Sequence, residues 1–350
     1  MKILHSADWH LCSPLQGRSE AQAQQLRKKL LQIPGKVAAL CRAEQCDMML
    51  LSGDLFDGAC DAEALRVLWD ALEEAAVPVF ITPGNHDFAD MVSPWLTQRL
   101  PENVHVFTRP AVEWVDVPKL NCRVYGADFT AMDCPALLEN FHADTDKLAI
   151  GIFHGDPTVA ASPYNPITRQ QVEQSGLAYL ALGHIHKGGA FRAGSTLCAW
   201  PGCPMGRGYD EVGEKGALIV TVEDSVSIRF AGLGMPEFFD LECSPEELDA
   251  ILPPVGNDNF YRITLTGESE PLDMAALAQR YSRFANLELR DKTVPPLDVW
   301  KALGEDSFEG TYFGLLHEAL ESADPETESR IRLAARICRQ ILDGQEVTLP

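Results

Sequence analysis

Short apolar runs alternate with longer stretches of helical periodicity over the first half of the chain. The runs at 2–7, 47–52 and 77–82 are apolar or β-branched and each stops at a polar cluster, which predicts buried strands. Between them, 20–45 and 60–76 are rich in Ala, Leu, Gln and Glu and predict helices. More strands are predicted at 104–107, 121–126, 147–153 and 178–183. From 188 to 232 the pattern turns hairpin-like: Ala190-Phe191-Arg192, then Leu218 to Val222 and Val226 to Phe230 about a turn at Glu223-Asp224-Ser225. This succession predicts a layered α/β protein, a β-sandwich flanked by helices, with functional residues on loops leaving strand ends.

Gly232-Leu233-Gly234-Met235-Pro236 reads as a boundary. A large domain is expected over 1–235 and a smaller α/β cap or partner-binding domain over 236–350. The smaller one should open with a strand at 237–242 and a helix started by a capping box, Ser244 with Glu247. A strand–helix–strand unit over 258–292 and helices at 308–321 and 326–342 should follow. Asp324-Pro325-Glu326 supplies a cap, a first-turn proline and an acidic first turn, and Gly344 lies just past the end. No cluster of His, Cys or paired carboxylates occurs in it, so no second active site is expected there.

The chain has 350 residues, 46% of them hydrophobic and 23% charged, enough for two domains. No apolar run approaches the ~20 residues of a membrane span. The start, Met1 to Asp8, is too short and too soon acidic for a signal peptide, so the mature protein is expected to begin there and to be cytoplasmic. Ten cysteines include no Cys-x-x-Cys, and Cys41/Cys46 and Cys198/Cys203 are too widely spaced for a zinc knuckle. They read as reduced thiols acting as small hydrophobes. The net charge is −22, with 28 acidic and 19 basic side chains over 1–236 and 23 and 10 over 237–350. No basic stripe of the kind that grips long nucleic acid is visible. Bound divalent ions would add local positive charge that this count omits.

Five motifs each follow a predicted strand: Asp8-Trp9-His10, Gly53-Asp54-Leu55-Phe56-Asp57, Gly84-Asn85-His86-Asp87, His154-Gly155 and Gly183-His184-Ile185-His186. They hold five of the nine histidines. Carboxylates and an amide oxygen beside imidazoles suit divalent transition metals. Alternate residues of an extended segment share a face, so Asp8 with His10, and His184 with His186, can each aim at one site. Singly, each motif has a plainer reading: a buried hydrogen bond, a turn rich in Asn and Asp, a satisfied core histidine. Coincidence is a poor account of all five in this order. Elsewhere, His5, His105, His142 and His317 read as structural or exposed. Arg207 reads equally as a phosphate ligand or a surface arginine, and 162–166 as a loop lining the cleft.

This constellation resembles the calcineurin-like metallophosphoesterases over roughly residues 1–232. Within them it is most similar to the SbcD/YhaO-type DNA repair exonuclease branch. The cues are Leu4-His5-Ser6-Ala7-Asp8-Trp9-His10-Leu11 followed by Ser13-Pro14, and Gly206-Arg207 leading into Glu211-Val212-Gly213-Glu214-Lys215-Gly216. The resemblance implies two divalent ions, manganese first, with Fe2+, Zn2+ or Mg2+ as alternatives. Asp8, His10 and His186 would hold one, Asn85, His154 and His184 the other, and Asp54 would bridge. Ions ~3.5–4 Å apart can share a hydroxide as nucleophile and clamp the phosphate oxygens. His86 would be catalytic, stabilising or protonating the leaving oxygen, with Asp87 orienting it. Asp57 departs from the branch, which often has histidine there; its role is open between supporting the site and capping the loop. Ala178, in place of an acidic residue, and Gly208, in place of a histidine, depart as well.

The branch implies a DNA substrate and leaves room for an SbcC-like ATPase partner and a homodimer; no membrane is implied. The acidic balance favours another reading, a phosphoesterase for small phosphorylated molecules or nucleotides. A catalytically idle scaffold is the third reading, and the complete ligand set argues against it.

Overall fold

The computed structural model describes residues 1–15 and 20–347. They fall into two compact units, Met1–Phe238 and Phe239–Pro350. In the first unit, strands β1 (Lys2–Ser6), β2 (Met48–Ser52), β3 (Val79–Thr82) and β4 (Val104–Val106) alternate with helices α1 (Glu20–Leu30), α2 (Ile33–Ala43), α3 (Ala62–Ala75) and α4 (Pro94–Thr97). Strands β5 (Glu113–Val117), β6 (Cys122–Gly126), β7 (Leu148–His154) and β8 (Tyr179–Gly183) follow, with α5 (Arg169–Gln174) before the last. Two hairpins complete the unit: β9 (Lys187–Ala193) with β10 (Thr196–Gly202), and β11 (Gly216–Val222) with β12 (Val226–Gly232).

These strands form two six-stranded sheets, ordered β12-β11-β1-β2-β3-β4 and β5-β6-β7-β8-β10-β9. The first is parallel from β1 to β4 and antiparallel at the β11–β12 edge; the second has a parallel centre and two antiparallel edges. Between the sheets lies a core that includes Ile3, Leu50, Phe80 and Val220 from one side and Val124, Ile150, Tyr179 and Ala199 from the other. Strands buried on both faces need apolar residues at every position. That is why β2, β3 and β8 read as unbroken apolar runs, and every residue in them is buried.

The helix expected over 20–45 is two helices. Pro34 has no N–H to give and sits in the first turn of α2, so the chain restarts there after a break at Leu31 and Gln32. Strand β10 was not anticipated, because Pro201 and Gly202 end it; its earlier residues pair with both β8 and β9. Strand β5 also escaped the reading, since it is a half-exposed edge strand paired only with β6.

In the second unit, β13 (Phe238–Cys243), β14 (Phe260–Leu265) and β15 (Leu287–Asp291) make one sheet, with β14 and β15 parallel. Cys243, Leu248, Ile263, Leu265 and Tyr281 form its core with the short helices α6 (Leu248–Ile251) and α7 (Met274–Arg280). The capping box before α6 is half made. The Glu247 carboxylate accepts the Ser244 N–H at 3.1 Å, but no side chain caps the helix, which is one turn long. Helices α8 (Phe308–Leu320) and α9 (Pro325–Leu342) end the unit, with Asp324 capping α9 through the Glu326 and Thr327 amides. Arg339 is fully buried; its guanidinium lies 4.2 Å from the Phe313 ring and pairs with Glu309 at 2.6 Å. No helix among the described residues is long and apolar enough to cross a membrane.

Candidate metal centre

Five loops leave the carboxyl ends of β1, β2, β3, β7 and β8 and meet at one end of the two sheets. The first two are stitched by their backbones. The Asp8 and His10 amides donate to the carbonyls of Gly53 and Asp54, both at 3.0 Å. Asp8, His10, Asp54 and His184 all have positive φ, from 48° to 97°. L residues seldom adopt that backbone, at a cost of roughly 1–2 kcal/mol each. Glycines supply closeness: a Cβ on Gly84 would overlap the Asp54 carboxylate, and one on Gly183 would overlap the Ser52 carbonyl.

Donor atoms of Asp8, His10 and His186 lie within 4.8 Å of one another, and so do those of Asp8, Asp54 and His154. The His10 and His186 Nε2 atoms face each other at 3.1 Å. The Asn85 side-chain oxygen lies 3.0 Å from His154 Nε2 and 3.1 Å from His184 Nδ1, and Asp54 Oδ2 is 3.4 Å from the same His154 nitrogen. His154 Nδ1 donates to the Ser52 carbonyl at 2.9 Å, leaving Nε2 as a lone pair aimed at oxygens in the neutral ring. His10 Nδ1 is buried without a hydrogen-bond partner. Lone pairs converging in a buried space repel unless a proton or cation lies between them, so the donor set fits divalent ions.

The titration shifts of the side chains alone tell the same story. Burial would raise the Asp54 carboxyl, but the charge of and hydrogen bond to His154 bring it well below the usual range. Burial disfavours charged His154, yet Asp54 outweighs it and lifts the ring to about 9. His10 is pushed down to about 3 and His184 to about 4, chiefly by burial, which keeps both rings as neutral donors. His86 differs. It is the exposed histidine of the set, and its pKa is raised chiefly by a 2.8 Å hydrogen bond from Nδ1 to Asp57 Oδ1.

That bond corrects one expectation. Asp87 does not orient His86. Its carboxylate turns inward and accepts the amides of Gly84 at 2.6 Å, Leu55 at 2.8 Å, Asp54 at 3.1 Å and Phe56 at 3.4 Å, tying the β2 loop to the β3 loop. Neighbours on a tight turn point apart, so adjacency in sequence misled. Burial and the Asp54 charge push Asp87 up to about 7, while four amide donors favour its ionised form. Asp57, with two readings left open by the sequence, is the carboxylate on His86 and also accepts from Ser13 Oγ at 2.8 Å.

Glu211 entered the sequence reading only as part of the resemblance and was given no role there. Its Oε1 lies 2.6 Å from His186 Nδ1, which presents His186 Nε2 to the centre. Arg207 is no ordinary surface arginine: it pairs with Glu211 at 3.0 Å and Asp57 at 3.5 Å and approaches His186 Nδ1 at 3.2 Å. The Glu211 contact to that nitrogen is shorter and is with a carboxylate, so it sets the tautomer. The spacing Arg207-x-x-x-Glu211 was the available signal. In the loop after β7, Tyr164 places its ring 4.9 Å from that of His184, and the Asn165 amide donates to the His154 carbonyl at 2.7 Å. That segment therefore buttresses two donors. His5 is structural, bonded to Tyr179, Ser52 and Leu182.

A two-sheet sandwich with this strand-end cluster defines a class, and comparison with known proteins agrees: residues 1–188 match the calcineurin-like phosphoesterase family. The chain belongs to that family of phosphoester-cleaving hydrolases, whose members use two divalent metals. Among curated sequences it is similar to the uncharacterised metallophosphoesterase YhaO of Bacillus subtilis, 33% identical over 251 residues, covering 66% of this chain and 60% of that one. It is also similar to the SbcD component of the nuclease SbcCD of the same organism, 25% identical over 268 residues, covering 64% and 66%. The chain thus spans under two thirds of the length of either relative. A dimetal phosphatase of Danio rerio aligns in structure over 67% of this chain and 96% of its own, at 12% identity and a TM-score of 0.46.

Proposed function

We propose that this chain is a two-metal phosphodiesterase acting on DNA ends or strands. The observation that carries the catalytic part is the convergence of seven donor residues on one buried focus with His86 exposed beside it. Asp8, His10 and His186 would hold one ion, Asn85, His154 and His184 the other, with Asp54 between them. The ions would supply an activated water and charge stabilisation on the phosphate. The donor set of imidazole, carboxylate and amide oxygen suits Mn2+ or Fe2+, and also Zn2+. His86 holds its proton on the side of Asp57 and can give one to the leaving oxygen. Arg207 and Glu211 fix the outward face of His186.

A cavity of ≈ 530 Å³ opens beside His86, with Phe56, Leu65, Phe88, Val92 and Gln98 among its walls. Its lining includes Asp87 and Asp90 and neither Lys nor Arg. A second phosphate would meet the Asp90 carboxylate there and no cation beyond His86 itself, whereas a neutral base or sugar attached to the scissile phosphate finds apolar walls and an amide. This supports a diester substrate over a nucleoside polyphosphate. The relative named as part of a nuclease supports DNA. The net charge of −22 opposes long-range attraction to DNA, so weak affinity is expected without a basic partner, for which an SbcC-like ATPase is the candidate.

The test is cleavage of labelled single- and double-stranded DNA by manganese-loaded protein over a salt series, with and without that ATPase. Cleavage that holds or rises at moderate salt is expected, since screening over ~10 Å at 0.1 M weakens repulsion. No cleavage under any condition, with fast turnover of a nucleotide or another small phosphoester, would transfer the assignment to small-molecule substrates.

A further inference from the structure

Two cysteines stand on the loops that carry the first donors, Cys12 after β1 and Cys60 after β2. Their Sγ atoms are 3.6 Å apart, and both residues are partly exposed. The loops are held together around them: Leu11 N–H donates to Leu55 O and Asp57 N–H to Leu11 O, both at 2.9 Å. Cys12 has φ 64°, a backbone for which glycine is the low-cost residue. What its side chain reaches from there is Cys60. Cys60 in turn lines the ≈ 530 Å³ cavity beside His86, so small solutes arrive at this sulfur from solvent. A second close pair, Cys41 and Cys46, makes an instructive contrast, because both residues are buried at 0% and 6% exposure.

We propose that Cys12 and Cys60 form a covalent modification site, oxidised by hydrogen peroxide to an intramolecular disulfide. In the first step one thiol gives up its proton and the sulfur of the thiolate attacks a peroxide oxygen; the O–O bond breaks, a sulfenic acid forms and the departing hydroxide takes up that proton and leaves as water. In the second the neighbouring thiol attacks that sulfur, the S–O bond breaks, the S–S bond forms and a second water leaves. Two thiols and one peroxide become one disulfide and two waters, with two electrons passing from sulfur to oxygen. An S–S bond is about 2.05 Å long, a change that side-chain rotation from 3.6 Å can make while the stitched loops stay in place. The site does not rest on the phosphoesterase reading, and it would covalently join the loop of Asp8 and His10 to that of Asp54 and Asp57.

Full-length protein is treated with graded hydrogen peroxide, alkylated under denaturing conditions and digested with trypsin. The sequence places Cys12 in peptide 3–18, Cys41 in 37–42, and Cys46 and Cys60 together in 43–66, where fragmentation separates them. The expected product is 3–18 joined to 43–66 through Cys60, about 2 Da lighter than the two reduced peptides and reversed by dithiothreitol. It should form at doses that leave 37–42 fully alkylated. In Cys12→Ser the cross-link should vanish and Cys60 should end as a sulfinic acid. Preferential joining of 37–42 to 43–66, sulfinic acid on Cys60 of the unaltered protein with Cys12 still alkylated, or full alkylation of both thiols at every dose would each overturn the proposal.

Discussion

In the second unit, the described residues with a left-handed backbone are glycines: Gly256, Gly267, Gly304 and Gly344. In the first unit eleven described residues other than glycine adopt it, and five of them, Asp8, His10, Cys12, Asp54 and His184, stand on the loops of the candidate centre with side chains attached. The glycines are ordinary turn residues, and an added Cβ at each would meet nothing within 4 Å. The other set costs roughly 1–2 kcal/mol per residue and persists only where the surroundings over-determine it. Here the surroundings are the backbone bonds between the β1 and β2 loops and the four amides gathered on Asp87. The difference teaches where strain serves a purpose. A left-handed residue just past a strand turns its side chain out of the strand's alternation and toward the focus.

The largest effect should come from Asp54→Ala, which removes the carboxylate between the two donor sets. Elemental analysis should show most bound metal lost, and hydrolysis of a simple phosphodiester should fall by roughly three orders of magnitude or more. Two ions still tightly held would break the assignment. Next, His86→Ala should keep its metal and lose activity by about two to four orders of magnitude. Asp57→Asn should move activity the same way, by less. Metal loss in His86→Ala would make that ring a ligand, a role its closeness to His10 and Asp54 permits.

A smaller effect concerns stability. Asp128 is buried, and its carboxylate oxygens have no hydrogen-bond partner; the nearby Ala89 N–H is given to the Phe129 carbonyl at 3.0 Å. Burial pushes its pKa up to about 8. The folded chain therefore holds this proton through a window, from about 4 to about 8, in which the unfolded chain has released it. Stability falls as pH rises through that window and levels off above it. Asp128→Asn should raise Tm by several degrees at pH 9 and change it little at pH 4, read by calorimetry. An equal shift at both would deny the buried charge. Least of all, Gly267→Ala should destabilise by about 1 kcal/mol through its backbone alone, with metal content unchanged. Metal loss there would blur the contrast between the units.

The cluster of candidate donors was legible because few side-chain types bind divalent ions and each candidate followed an apolar run. Their partners were not. Glu211 lies 25 residues beyond His186, and the intervening chain makes the β9–β10 hairpin, whose second strand is masked by its own Pro201 and Gly202. Asp57 meets His86 across 29 residues of sequence. Orienting contacts depend on which loops a fold brings side by side, and residue type carries little of that information. The break between α1 and α2 was written in Pro34, but amphipathic composition on both sides concealed it.

Asp8, Asp54 and Asn85 follow strands of one sheet, and His154, His184 and His186 end or follow strands of the other. An ion held by both sets, as proposed, would therefore work as a rivet through the sandwich at one end. Prying the sheets apart would strip its coordination, so metal concentration should act on unfolding as a ligand acts on any site that only the native state offers. A hundredfold excess of free ion over its dissociation constant would add about 2.7 kcal/mol against separation. On this view a chelator should lower the temperature at which the sheets part well before it disturbs the packing of either sheet by itself.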